Sequence, residues 1–184
     1  MADEHTAGVM EQPHPSGVDP DLVRSRVEEA LATSRPVFNE FFLARLLDLT
    51  VTYDDEREET RVELPFADFL RNPQGSLHGG VIATAMDISM GHLLNRYLSA
   101  GVTIEMQMRF FRPVHGPSYC EGRLLRPGRR IVHLESRLYD EQGRFAAYAT
   151  STYQRLDAPS DHHESRHMPD SRQHLIHGPG APSG

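Results

Sequence analysis

Cysteine is almost missing from this chain: Cys120 stands alone among 184 residues, so no internal disulfide can form, and a reducing compartment is expected. The residues around it read as a strand, which marks an inert packed thiol rather than a nucleophile. Long apolar runs are absent too. No stretch reaches the roughly 18 uncharged residues of a membrane span, and the opening MADEHTAGVMEQPHPSG lacks the basic and apolar regions of a signal peptide. A cytoplasmic protein without membrane contact is the expectation. Positive charge is not in surplus either: 19 Lys and Arg against 26 Asp and Glu leave a net charge of −7. Such a chain has no broad basic surface for a phosphate backbone, and nucleic acid is not an expected partner.

What is present suffices for one core with tails. Residues 1–18 are polar and aperiodic, a disordered lead-in; residues 19–156 form the domain; residues 157–184 lose all apolar periodicity and read as a disordered His-rich tail. His162, His163 and His167 in that tail are expected to have no more than incidental affinity for a transition metal, and no metal or cofactor is expected to serve the domain.

Asp19 and Pro20 look like the cap and first residue of a short amphipathic helix with Leu22, Val27, Ala30 and Leu31 on its stripe. VFNEFFLARLL (37–47) adds a helical turn or two. LDLTVTYDD and ETRVELPF alternate with period two about an acidic turn, which predicts a hairpin. A long apolar segment from about His78 to Ser99 predicts a buried helix, with Gly101 as its stop. Strands follow over 102–112, 118–126, 130–139 and 144–155, punctuated by RPVHGP, PGR and DEQG. The compact solution is an α+β fold: one sheet of about six strands wrapped around the long helix.

The chemistry sits where NPQGSLHGG (72–80) enters that helix. A helix N-terminus offers unpaired N–H groups and partial positive charge, and glycines at 79 and 80 let a ligand approach closely. That suits an oxyanion hole; a nucleotide phosphate is disfavoured, because no Lys and Ser/Thr follow the glycines. Asp87 lies among Ala83, Ala85, Met86, Ile88 and Met90, where a carboxylate is costly unless bonded or facing a wet pocket. Gly79 and Asp87 are about 12 Å apart along a helix, too far for one carbonyl to touch both. If both act on one bond, the site is shared across a two-fold dimer.

Asn72, Gly75, LHGG at 77–80, Asp87 and the strand VTIEMQMRFFRP resemble the hotdog-fold acyl-CoA thioesterases of the phenylacetate-pathway (PaaI-like) type, over roughly residues 37–155. The resemblance implies an antiparallel sheet around a central helix, a homodimer or homotetramer, and hydrolysis of acyl-CoA to acid and coenzyme A, the latter entering only as part of the substrate. It assigns the Gly79 N–H to the thioester oxygen and makes Asp87 of the facing subunit the general base or nucleophile. Asn72 would position water or substrate, His78 would support the thioester or the loop, and Thr103 would hold the water. Arg129 and Arg130, in the turn RPGRR, would take the coenzyme A phosphates, with Gly80 contributing to substrate binding.

Glu105 is the rival base; two residues beyond Thr103, it is expected on the same strand face, paired with Arg109. Met86, Met90, Phe110 and Phe111 are expected to line an acyl groove beside Asp87. A non-catalytic acyl-CoA-binding or sensing protein is the alternative reading.

Overall fold

The structure is a computed structural model that describes residues 17–38 and 40–156. The lead-in up to residue 16 and the tail with His162, His163 and His167 lie outside the described residues.

Helix α1 (Pro20–Thr33) begins as its sequence predicts: the Asp19 carboxylate accepts the Asp21 N–H at 2.9 Å, and proline fills the first turn. Its apolar stripe is only partly used. Ala30 is fully buried, but Leu22 and Leu31 remain 46% and 65% exposed, because α1 packs chiefly against α2 (Phe42–Leu46).

Strands β1 (Thr50–Asp54) and β2 (Glu59–Leu64) form the predicted hairpin. Helix α3 (Gly79–Tyr97) then precedes β3 (Gly101–Phe110), β4 (Ser118–Arg126), β5 (Ile131–Asp140) and β6 (Phe145–Arg155). The six strands make one antiparallel sheet in the order β1-β2-β4-β5-β6-β3, with α3 packed on one face. Met86, Met90 and Leu93 of α3 meet Val62, Leu134 and Leu138 of the sheet, all essentially without solvent contact. Cys120 lies in this core, and burial pushes its thiol well above the usual range, as expected for an inert packing residue. Among the described residues no helix is long and apolar enough to cross a membrane.

The height of α3 above the sheet is set by small polar contacts. The Thr60 hydroxyl donates to the Ser89 carbonyl at 2.8 Å, and the Ser89 and Ser136 hydroxyls meet at 2.8 Å. Gly122 lies beneath them: a Cβ there would stand 2.6 Å from Thr60 Oγ1 and 2.8 Å from the Ser89 carbonyl oxygen. The helix backbone can rest this low only because β4 has no side chain at that point.

Gly101 is not the stop of the helix. The helix ends at Tyr97 with Leu98 as its cap, and Gly101 opens β3, where a Cβ would collide with Leu94 Cδ2 and the Gln154 carbonyl. Strand β3 pairs with β6 along one edge, and its other edge carries no strand among the described residues; Val102 and Ile104 are 47% and 55% exposed there.

Candidate active site

The loop before α3 is built around Asn72. Its side-chain oxygen accepts the N–H groups of Gln74 and Ser76, its amide donates to Ser76 Oγ at 2.9 Å, and Gly75 takes the left-handed φ of 82° that the turn requires. Asn72 thus spends its side chain on shaping the loop. The Leu77 and His78 N–H groups bond to the carbonyls of Val114 and Leu70, which fixes where the helix begins.

His78 is the cap of α3: its Nδ1 accepts the Gly80 N–H at 2.9 Å, and its carbonyl accepts those of Val81 and Ile82. The Gly80 amide is therefore occupied within the chain, which disfavours the direct substrate contact expected of it. The Gly79 N–H finds no acceptor among the described residues. Gly79 is half-buried beneath the Phe110 ring, 3.4 Å from where its Cβ would stand.

Two turns along α3, Asp87 is half-buried and bonded through one oxygen. Thr103 donates to Oδ1 at 2.9 Å from β3, as does Tyr153 at 2.6 Å from β6. Among the described residues no cation pairs with Asp87 and no donor reaches Oδ2. Sequence reasoning missed Tyr153. Its signal lay in β6, where Ala147, Ala149 and Ser151 form a row of small inward residues and a phenol ends the row.

A β-bulge decides the fate of Glu105. Thr103 pairs with Tyr153, but Glu105 pairs with Thr152, so Ile104 is the extra residue and the alternation reverses. Thr103 faces α3, whereas Glu105 faces the opposite side of the sheet and accepts from Gln107 Nε2 at 2.7 Å instead of pairing with Arg109. The expected acyl groove is likewise redistributed. Met86 and Met90 belong to the core, Phe110 covers Gly79, and Phe111 packs at a tilt against Phe145 with ring centroids 5.2 Å apart.

Arg129 and Arg130 are exposed in the turn between β4 and β5. The register places that turn beside the start of β3, since Arg155 pairs with Gly101 and its N–H bonds to the Arg130 carbonyl. They lie at the Thr103 end of the sheet, away from Gly79 of the same chain.

Residues 74–147, which hold Gly79, Asp87 and Thr103 but not Asn72, match the Thioesterase superfamily model. Over 101 residues the chain is 32% identical to a Saccharolobus solfataricus protein assigned as an esterase, SSO2140, a match that covers 53% of this chain and 72% of that one. The chain belongs to the thioesterase superfamily. This thioester hydrolase is also 31% identical over 97 residues to the Escherichia coli medium/long-chain acyl-CoA thioesterase YigI, covering 44% of this chain and 63% of YigI. Its fold matches the Escherichia coli PaaI protein from the phenylacetic acid degradation operon with a TM-score of 0.62 at 16% identity, over 72% of this chain and 97% of PaaI. The long helix packed against a six-stranded antiparallel sheet is the hotdog fold expected from the sequence.

Proposed function

We propose that this thioesterase hydrolyses an acyl-CoA in a site made from Gly79 of one subunit and Asp87 of a second. The observation that carries the reading is the placement of those groups at opposite ends of β3: Gly79 lies against Phe110, its last residue, and Asp87 bonds to Thr103, near its first. One substrate carbonyl does not reach both within a chain. Among the described residues the second edge of β3 carries no strand, and Val102 and Ile104 are exposed there. Antiparallel pairing of that edge with its own copy brings the Gly79 end of one chain to the Asp87 end of the other. The similarity to YigI supports acyl-CoA as the substrate class.

In this arrangement a water lies against Asp87 Oδ2. The carboxylate takes its proton as the water oxygen bonds to the thioester carbon, and the carbonyl electron pair moves onto oxygen beneath the Gly79 N–H. Collapse re-forms the carbonyl and breaks the carbon–sulfur bond. The thiolate takes the proton back from Asp87, leaving a carboxylic acid and coenzyme A. The groups used are an amide, a carboxylate and water.

Free-thiol release from a panel of acyl-CoAs, compared between the wild type and Asp87→Asn, tests the chemistry. Loss of a general base costs about 10²-fold or more. Binding without thiol release by the wild type identifies a non-catalytic acyl-CoA binder instead. The shared site is tested by mixing two inactive variants, Gly79→Val and Asp87→Asn, under subunit exchange. A mixed dimer holds one intact site and regains activity; continued silence refutes sharing.

A further inference from the structure

Tyr153 has no place in the chemistry above, yet it makes the shortest contact to Asp87. Its hydroxyl lies 2.6 Å from Oδ1 and 3.0 Å from the Asp87 backbone oxygen. A phenol has one proton to give, and the shorter distance, in the range of a charge-assisted O–H···O⁻ bond, assigns it to Oδ1. Thr103 directs its hydroxyl to the same oxygen at 2.9 Å. These two residues are register partners on β3 and β6, and both side chains face α3, where they reach Asp87.

We infer that Tyr153 is a positioning residue: with Thr103 it holds Oδ1 of Asp87 and so presents Oδ2 to the water. The inference rests on the reading of Asp87 as general base. Two neutral donors on one oxygen fix the orientation of the carboxylate without cancelling its charge, as a paired arginine would. Tyr153 suits the task because it is only 3% exposed and its ring is held by the core, so the hydroxyl has little freedom. Burial, followed by the neighbouring Asp87 charge, raises its pKa well above the ordinary tyrosine value, so the phenol keeps its proton throughout the neutral range. Ser151 does not compete for Asp87, since its hydroxyl donates to the Glu105 carbonyl at 2.6 Å.

The test is a double-mutant cycle on thiol release. Tyr153→Phe preserves the ring and removes only the donor, and an unchanged melting profile by circular dichroism checks the fold. We expect kcat to fall about tenfold with KM within about twofold. In the Asp87→Asn background the same substitution changes kcat by less than about twofold, because nothing remains to orient. Equal proportional losses in both backgrounds show a structural role and overturn the inference, as does full activity of Tyr153→Phe where Asp87→Asn is impaired. Full activity of Asp87→Asn overturns the base reading itself, and this inference with it.

Discussion

His78 Nδ1 accepts the N–H of Gly80 at 2.9 Å, and this bond sorts the two glycines that follow it. The Gly80 N–H is engaged in capping, whereas the Gly79 N–H finds no acceptor among the described residues. His78→Ala is expected to cost about 1 kcal/mol of stability, the usual worth of a helix cap, and His78→Asn to restore most of it. Chemical denaturation of the three proteins measures this; equal stabilities would mean that the cap contributes nothing.

Arg129 and Arg130 lie at the Thr103 end of the sheet on an exposed turn, where arginine contacts to phosphate are screened by water and salt. Replacing both with alanine is expected to raise KM for acyl-CoA about fivefold, with kcat little changed. The difference should shrink as ionic strength rises. A pantetheine thioester without the nucleotide should show no difference between the two proteins, and one that does would remove these arginines from substrate binding.

Gly122 supports α3 at the height where Asp87 reaches Thr103 and Tyr153. Gly122→Ala forces a methyl group against Thr60 Oγ1 and the Ser89 carbonyl, with 2.6 Å and 2.8 Å available. Overpacking of this kind is expected to cost about 3 kcal/mol. Urea unfolding measures the loss, and stability within a few tenths of the wild type would contradict the close seat.

His92, behind the site on α3, has its Nδ1 2.8 Å from the Tyr53 hydroxyl and its ring 4.6 Å from that of Phe38. Burial pushes its imidazole down from 6.5 to about 4. As pH falls between those values the unfolded chain binds the proton and the folded chain does not, so stability is lost through that window and held above it. The contribution is about 2 kcal/mol near pH 5 relative to neutrality. His92→Gln should flatten this part of the stability profile, read by urea unfolding at neutral and mildly acidic pH.

The elements were legible because local signals agreed with one another. Asp19-Pro20 marked the start of α1, alternation marked the β1–β2 hairpin, and glycine and proline turns bounded β4. The aspartate in the apolar helix and the glycines before it stood out as candidates for the proposed site because each conflicts with its surroundings unless it has a task. Glu105 was misread because a bulge is an event of pairing. Nothing in VTIEMQ says which residue β6 will leave unmatched. Gly101 was misread as a helix stop because a glycine needed for close approach looks the same in sequence as one needed for a turn.

The sequence by itself determined the order of the elements, the buried α3, and Asp87 and Gly79 as the candidate pair, since periodicity, capping and the cost of a buried charge act over a few residues. Only the tertiary structure decided that Thr103 and Tyr153, far apart in the chain, meet on one oxygen of Asp87, and that Glu105 turns to the opposite side of the sheet. Those outcomes depend on strand register and on the height of a helix over a sheet, which are settled by packing between distant segments.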